Sequence, residues 1–256
     1  MTEPIIEAAN VSKSFGSGPA RVQALKDASL TLNGGELTVL MGPSGSGKTT
    51  FLSILGCMLA PTGGTVRVCG TSTSGARPAE LAEIRRHHIG FVFQSYHLFS
   101  TLTVIENVLL ALDLRGDRGP KALAKTKEIL ASVGLTSKMS SFPGQLSGGE
   151  QQRVAIARAV VADPSAILAD EPTAALDSVN GHATMTILSA IAKERGRAVL
   201  VVTHDPRLFE FANRIVHIED GSLMREEFTV PKVNLMRSSG VERTRKDALL
   251  EYDSQK

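Results

Sequence analysis

A glycine-rich segment, residues 42–50, constrains the fold of this chain more than any other feature. It fits the pattern G-x-x-x-x-G-K-[ST] at every fixed position, and it lies between two apolar runs, 37–41 and 51–55. A strand that leads through such a loop into a helix is the local structure of a phosphate-binding loop. The sequence therefore predicts a nucleoside triphosphate site on an α/β fold.

The residue types of this loop each have a chemical reason to be there. Glycines let backbone N–H groups turn toward phosphate oxygens, and the start of the helix adds partial positive charge. Lys48 supplies a full charge toward the β- and γ-phosphates, and the Thr49 hydroxyl is a predicted Mg²⁺ ligand. A turn that only links strand to helix is the alternative, and the Lys-Thr pair disfavours it. The predicted nucleotide-binding residues are Gly42, Pro43, Ser44, Gly45, Ser46, Gly47, Lys48, Thr49 and Thr50.

The composition is that of an ordinary folded protein. Of the 256 residues, 42% are hydrophobic and 21% are charged, and the net charge is +2, which gives no general attraction to nucleic acid or anionic lipid. The two cysteines, Cys57 and Cys69, form no C-x-x-C motif, which favours a reducing compartment. No apolar run approaches the roughly 18 residues that span a bilayer, and the first residues do not resemble a signal peptide. We therefore expect any membrane role to come through a partner.

Hydrophobic patterns divide the chain into parts. Period-two alternation between residues 5 and 32, with a further strand at 65–70, predicts an antiparallel β-subdomain. Helical periodicity after Gln94 predicts a mainly helical insertion. The predicted limits are 1–224 for the domain, 1–94 and 161–224 for its nucleotide-binding core with the β-subdomain, 95–160 for the helical insertion, and 225–256 for a charged tail.

Polar side chains follow three further predicted strands: Gln94, the pair Asp170 and Glu171, and His204. Ligands of doubly wound sheets bind outside the carboxyl ends of the strands, so we expect these residues to converge on the phosphate loop. Asp170 is predicted to hold Mg²⁺, and Glu171 to polarise an attacking water. Gln94 is predicted to contact metal and water, and His204 to hydrogen-bond the γ-phosphate or water. Gln94 could instead be no more than the polar end of a strand. His204 could instead be a core histidine with its hydrogen bonds made within the protein.

A second candidate anion site lies at residues 146–153. Ser147 and Glu150 have the spacing of a capping box, which alone would indicate a well-capped helix. Gly148 and Gly149, however, are poor helix formers that leave bare backbone N–H groups at the positive end of the helix. One chain thus carries two predicted phosphate-binding helix starts, about a hundred residues apart.

The order and spacing of these motifs resemble the nucleotide-binding subunit of an ATP-binding cassette (ABC) transporter, over residues 1 to about 224. The resemblance equates residues 42–49 with the Walker A loop, Gln94 with the Q-loop, 146–150 with the signature, 166–170 with Walker B and His204 with the switch histidine. It implies an ABC ATPase fold, a RecA-like P-loop NTPase core with an antiparallel β-subdomain and a helical insertion. ATP and Mg²⁺ are the implied cofactors, and Glu171 the implied catalytic carboxylate.

The resemblance also assigns residues that spacing alone leaves open. Phe15 precedes a turn, and core packing or stacking on adenine would both explain it; in the family this position stacks on adenine. Asp177 ends the implied D-loop, where Ala174 replaces the more common Gly or Ser. The predicted nucleotide contacts outside the phosphate loop are Phe15, Gln94, Ser147, Gly148, Gly149, Glu150 and Asp177, and the predicted metal ligands are Thr49, Gln94 and Asp170.

Within the family, residues 91–94, 102–108 and 146–153 resemble the MacB/LolD/DevA branch, whose members drive exporters and lipoprotein-release systems. That likeness implies a homodimer with two ATP between its subunits and a membrane permease partner. It also implies a periplasmic adaptor reached through the permease, and a location on the cytoplasmic face of the inner membrane. A soluble ABC ATPase of DNA repair or translation is the alternative. It is disfavoured because no long coiled coil separates the two motifs and only one cassette is present. A phosphate-loop kinase would leave 147–149 without a purpose.

Overall fold

The computed structural model describes residues 4–194 and 196–231 as two β-sheets and a layer of helices. The strands are β1 (Ile6–Phe15), β2 (Val22–Leu32), β3 (Leu37–Met41), β4 (Gly63–Val68), β5 (Thr71–Ser72), β6 (Ile89–Val92), β7 (Ala166–Asp170), β8 (Ala198–Thr203), β9 (Arg214–Glu219) and β10 (Ser222–Phe228). The helices are α1 (Lys48–Leu55), α2 (Pro78–His88), α3 (Val104–Asp113), α4 (Pro120–Ser132), α5 (Gly148–Val160) and α6 (Ser178–Glu194). Short 3-10 turns join several of them.

The smaller sheet is antiparallel, in the order β2-β1-β4-β5. Its inward positions, among them Ile6, Val11, Leu30 and Val66, are buried in one core with α1, and the alternating positions are more exposed. This alternation is the expected pattern of a sheet with one covered face. The predicted β-subdomain is confirmed, including the strand near residue 65.

The larger sheet has the order β10-β9-β3-β8-β7-β6. Strands β9, β3, β8, β7 and β6 run parallel to one another, and β10 pairs antiparallel with β9. Every residue of β8 is buried, because α1 covers one face of the sheet and α5 and α6 cover the other. Parallel strands covered on both faces carry such β-branched runs. The strand order brings the carboxyl ends of β3, β8, β7 and β6 to the same edge of the molecule.

The helical layer contains α3, α4 and α5, as the hydrophobic periodicity predicts. Val108, Leu112, Leu130 and Val154 belong to its separate apolar cluster. Helix α3 begins at a capping box in which Thr103 accepts from the backbone of Glu106. Helix α5 also packs on β6 and α6, so it connects this layer to the larger sheet.

The end of the larger sheet lies further along the chain than the sequence suggests. Strand β10 continues to Phe228, four residues past the predicted boundary at 224. Its residues are charged because an edge strand exposes one side to solvent, and Glu226 pairs with the buried Arg214 of β9. The charged residues of β10 therefore resemble a polar tail in the sequence, although they form a strand. The rest of the predicted tail, 232–256, lies outside the described residues.

No helix within residues 4–194 and 196–231 is long and apolar enough to cross a membrane.

Candidate nucleotide-binding site

Four strand ends surround one open cavity of about 590 Å³ at the carboxyl edge of the larger sheet. The phosphate loop follows β3, Gln94 lies two residues after β6, Glu171 follows β7 and His204 follows β8. The structure thus brings together the side chains that the sequence predicts to converge. The residues that line the cavity are Ala24, Pro43, Ser44, Gly45, Gly47, Lys48, Thr49, Thr50, Gln94, Glu171 and His204.

The phosphate loop needs glycine at two of its positions for different reasons. Gly47 has a φ of 100°, and a Cβ there would lie 2.5 Å from the carbonyl oxygen of Ala24. Gly42 has no left-handed φ, but a Cβ there would lie 2.2 Å from the carbonyl oxygen of Ile218. Helix α1 then begins at Gly47 without a side-chain cap, so no capping side chain satisfies its first backbone N–H groups. This is the arrangement that binds phosphate.

Lys48 bends back over this loop. Its Nζ donates to the carbonyl oxygens of Gly42 and Pro43, both at 2.7 Å. Burial lowers the pKa of Lys48, and the nearby charges of Glu171 and Asp170 act in the opposite direction. Lys48 is therefore a buried residue of the cavity lining, with its ammonium group held against the phosphate loop.

Oxygen donors suited to Mg²⁺ lie beside the loop. The Thr49 hydroxyl donates to Asp170 Oδ1 at 3.3 Å, which places the first turn of α1 against the end of β7. Burial raises the pKa of Asp170, while the hydrogen bond from Thr49 lowers it. The Thr49 hydroxyl and the Gln94 amide line the cavity, and the Asp170 carboxylate lies against Thr49. Together they offer hard oxygen donors, which are the ligands that Mg²⁺ prefers. These residues fit the cation that the family implies.

The carboxylate of Glu171 is fixed at both oxygens. Oε2 accepts a hydrogen bond of 3.1 Å from Thr203 Oγ1, and Oε1 lies 2.7 Å from His204 Nδ1. Glu171 itself has a φ of 45°, and its backbone N–H donates to the carbonyl oxygen of Val202. Sequence reasoning missed Thr203, although its position at the end of β8, directly before His204, is a usable signal.

The second predicted anion site does not line the cavity. Ser147 and Glu150 form the predicted capping box: Glu150 Oε2 accepts from the Ser147 backbone at 2.8 Å, and Ser147 Oγ accepts from the Glu150 backbone at 3.3 Å. The hydrogen bonds to Ser147 hold the pKa of Glu150 below its ordinary value. Lys138 lies 3.5 Å from the same carboxylate. The helix start at 147–149 is therefore well formed and lies outside the cavity of its own chain.

Gly148 and Gly149 also have a packing role that the sequence analysis missed. A Cβ on residue 149 would lie 2.3 Å from Oδ1 of Asn180, and one on residue 148 would lie 3.0 Å from the Tyr96 hydroxyl. The start of α5 is thus in close contact with the start of α6. Asn180 is recognisable only because it stands three residues after a helix-capping Asp.

Asp177 and Phe15 also lie apart from the cavity lining. Asp177 caps α6, since its carboxylate accepts from the backbone and side chain of Asn180 at 2.8 and 2.7 Å. Phe15 ends β1 with 44% of its surface exposed, and Lys13 Nζ lies 5.1 Å from the ring centroid. An exposed ring is free to stack on a ligand, so its predicted role stays a prediction.

Known proteins resemble this chain in fold and in sequence. The family model described as ABC transporter matches residues 25–174. The ATP-binding cassette MJ0796 has been solved as a dimer bound to ADP and Pi; its structure is 42% identical and superimposes with a TM-score of 0.81, over 87% of this chain and 98% of that one. A second dimeric structure of MJ0796, described as a bacterial ABC transporter cassette, is 43% identical with a TM-score of 0.80 and the same coverage.

Curated relatives are longer than this chain. The macrolide export ATP-binding/permease protein MacB of Salmonella typhi is 44% identical over 238 residues, which are 93% of this chain and 36% of the relative. MacB of Escherichia coli (strain K12) is 42% identical over 232 residues, 91% of this chain and 36% of the relative. The chain therefore spans about a third of the length of these relatives. The match confirms the predicted fold class and the predicted MacB-like branch: this chain is a member of the ABC transporter family.

Proposed function

We propose that this chain is the ATP-binding and ATP-hydrolysing subunit of a transporter, and that it powers a separate membrane permease. The observation that carries the proposal is the placement of the two anion sites. The phosphate loop and Glu171 line one cavity, and Asp170 accepts a hydrogen bond from Thr49 beside it, whereas the helix start at 147–149 lies outside the cavity. One chain thus offers two parts of a triphosphate site that do not meet.

Two copies paired head to tail about a two-fold axis would join these parts, since such an axis places the same two patches against each other twice. Each ATP would lie between the phosphate loop of one subunit and residues 147–149 of the other. The γ-phosphate would hold the subunits together because only the triphosphate reaches both sites. The dimeric structures of MJ0796 support the pairing of two such cassettes.

The chemistry assigned to the cavity is attack of water on the γ-phosphate. Bound Mg²⁺, held by Thr49, Asp170 and Gln94, would offset negative charge on the phosphates. Glu171 is the general base, and Thr203 and His204 orient its carboxylate. Lys48 exchanges its bonds to the loop carbonyls for phosphate oxygens. Loss of the γ-phosphate then removes the bridge between subunits.

The surface proposed for the permease is a groove of about 750 Å³ between the larger sheet and the helical layer. Phe91, Phe93, Phe99 and Leu114 supply its apolar lining, and Phe99 and Leu114 are 53% and 63% exposed. An apolar segment of a membrane protein fits such a groove. Because Gln94 follows Phe93, occupation of the groove would be sensed at the nucleotide cavity.

Transport direction and location rest on the relatives alone. The MacB relatives are named as macrolide export proteins. We infer that this chain serves an exporter or lipoprotein-release system, on the cytoplasmic face of the membrane and bound through the permease. A periplasmic adaptor would act through the permease.

The ATPase assignment is tested with the purified chain, ATP and Mg²⁺. Glu171→Gln should bind ATP normally and hydrolyse it at least roughly a hundredfold more slowly, because a general base contributes 10²- to 10⁴-fold. Glu219→Gln, an exposed glutamate at the end of β9, is the matched control and should keep wild-type turnover. Wild-type turnover by Glu171→Gln would remove Glu171 from the mechanism.

The permease assignment is tested by co-purification with a detergent-solubilised permease encoded beside this chain. Phe99→Glu should abolish the association and leave ATP binding unchanged. Turnover stimulated by DNA or ribosomes, without association with the permease, would favour the soluble alternative.

A further inference from the structure

The turn that follows Gln94 has an unfavourable backbone conformation at two consecutive residues. Tyr96 has a φ of 59° and His97 a φ of 47°, and neither is glycine. The left-handed region costs free energy for residues with a Cβ, and such strain persists only where surrounding contacts hold it. The turn begins with a hydrogen bond of 3.2 Å from the Tyr96 N–H to the Phe93 carbonyl.

Arg158 of α5 supplies the contacts that hold this turn. One guanidinium nitrogen donates to the Tyr96 carbonyl at 2.7 Å, and another donates to the His97 carbonyl at 2.5 Å. Within residues 4–194 and 196–231, no ion pair involves Arg158. Burial lowers the pKa of Arg158, in agreement with a half-buried cation whose hydrogen bonds go to neutral carbonyls. The planar guanidinium group presents its N–H donors in a fixed fork, which suits two neighbouring carbonyl groups.

The same turn also lies against the first residue of α5. The Tyr96 hydroxyl lies 3.0 Å from the position that a Cβ on Gly148 would take. The His97 ring stacks on Phe93, with 4.7 Å between ring centroids. Residues 93–97 are therefore attached to α5 near both its start and its end, and α5 begins at the helix start that completes the partner's ATP site in the proposed dimer.

We propose that Arg158 is a positioning residue: it holds the Tyr96–His97 turn in its strained form, and so couples the position of α5 to that of Gln94. This inference rests on the proposed function, because it needs Gln94 to act on the nucleotide. When α5 moves against a second subunit, the Arg158 fork carries the turn with it. Gln94 is then aligned only when α5 is docked.

The first test compares three variants of the full chain. Arg158→Met removes both donors at similar length, and Arg158→Lys keeps one. Arg67→Met is the matched control, because the Arg67 guanidinium also donates to a backbone carbonyl, that of Gly70, but lines neither the nucleotide cavity nor the groove. We expect kcat for ATP hydrolysis to fall about tenfold in Arg158→Met and less in Arg158→Lys, with the ATP dissociation constant within about twofold of wild type, as for loss of hydrogen bonds to a charged group. Arg67→Met should match wild type.

The second test is rescue by glycine. His97→Gly in the Arg158→Met background lets residue 97 keep a left-handed φ without a Cβ penalty, so several-fold recovery of kcat is expected. His97→Gly alone controls for loss of the stacking on Phe93 and should change kcat little. A purely structural role for Arg158 would lower the melting temperature and ATP affinity together, and glycine would not restore kcat selectively; that result overturns the proposal.

Gln94→Ala distinguishes a failure of the coupling through Arg158 from a failure of the proposed role of Gln94. If Gln94→Ala is slow but a folded Arg158→Met turns over at the wild-type rate, the coupling inference is wrong and the role of Gln94 stands. If Gln94→Ala turns over normally, the role of Gln94 fails, and coupling through it fails too. If Arg158→Met does not fold, the Arg158→Lys variant and its glycine rescue decide the question.

Discussion

Glu171, the general base of the proposed mechanism, has a carboxylate whose orientation is set by its neighbours. It is bound on one oxygen by the hydroxyl of a fully buried threonine, Thr203, and on the other by the imidazole of His204. Two contacts from one strand end leave the carboxylate little rotational freedom. The same Thr203 hydroxyl accepts a hydrogen bond from the Asp205 backbone at 3.0 Å, so its own orientation is also set.

Thr203→Val should therefore lower kcat without affecting ATP binding. The change keeps the shape of the side chain but deletes the hydrogen bond to Glu171, which is worth about 1.5–3 kcal/mol for a charged acceptor and corresponds to roughly a tenfold or larger loss. Steady-state hydrolysis and a nucleotide titration measure the two effects separately.

Thr203→Ser is the matched control for this substitution. It retains the hydroxyl, so most of the turnover should return. Equal kcat values for the valine and wild-type proteins would show that His204 alone is enough to orient Glu171.

The positions of the residues to which we assign chemistry could be predicted from sequence because they stand at the ends of buried strands. Asp170, Glu171 and His204 each lie at or just after the end of an apolar run. The carboxyl ends of parallel strands lie at one edge of a sheet, so these residues are expected close together. Thr203 could not be predicted in the same way. A threonine in a β-branched run is an ordinary strand residue, and only the bond to Glu171 distinguishes it.

At the scale of single elements, helix α5 links most of the proposed machinery. Its first turn carries the exposed Ser147 and the close contacts of Gly148 and Gly149, and its later part carries Arg158. The glycines weaken the helix by propensity, yet the capping box formed by Ser147 and Glu150 stabilises its start. The element is thus specified by packing and capping more than by propensity.

Gly149→Ala should destabilise the chain, because the new Cβ would lie 2.3 Å from Asn180 Oδ1 and 2.6 Å from its Cγ. Overpacking of this kind costs about 1–3 kcal/mol, which chemical denaturation measures directly. Asn180→Ala removes the clashing atoms, so the double variant should recover part of the loss relative to Gly149→Ala.

Simple additivity of the two changes would contradict this account, since residues in contact are expected to show an interaction energy. The same set of single and double variants also distinguishes a packing role of Gly149 from a role in anion binding. Asn180 is not part of the proposed phosphate site, and its loss should leave nucleotide affinity unchanged.

Some elements are harder to recognise from sequence than others. The helices α3 and α4 have clear apolar faces, and α6 begins at a capping Asp, so each was predictable. The end of β10 was not, because Arg225, Glu226 and Glu227 are the residues of an exposed, ion-paired edge. Hydrophobic patterns in a sequence reveal which residues are buried. An edge strand buries few residues, so it gives a weak pattern.

At the scale of the whole molecule, four strand ends of one sheet surround a single cavity, and the helical layer holds the second predicted anion site away from it. In the proposed mechanism each site supplies only part of the contacts to a triphosphate. The motif order predicts both sites, but their separation follows from tertiary structure. Two identical chains satisfy both sites at once, which makes nucleotide-dependent dimerisation the central expectation.

Sedimentation velocity of the Glu171→Gln protein with Mg²⁺ tests this expectation most directly. Because the variant should retain the γ-phosphate, it is predicted to sediment as a dimer with ATP and as a monomer with ADP. The dimer should be lost with ATP when Ser147→Arg is added, although ATP still binds. A Glu171→Gln protein that remains a monomer with ATP bound at saturation would contradict the account.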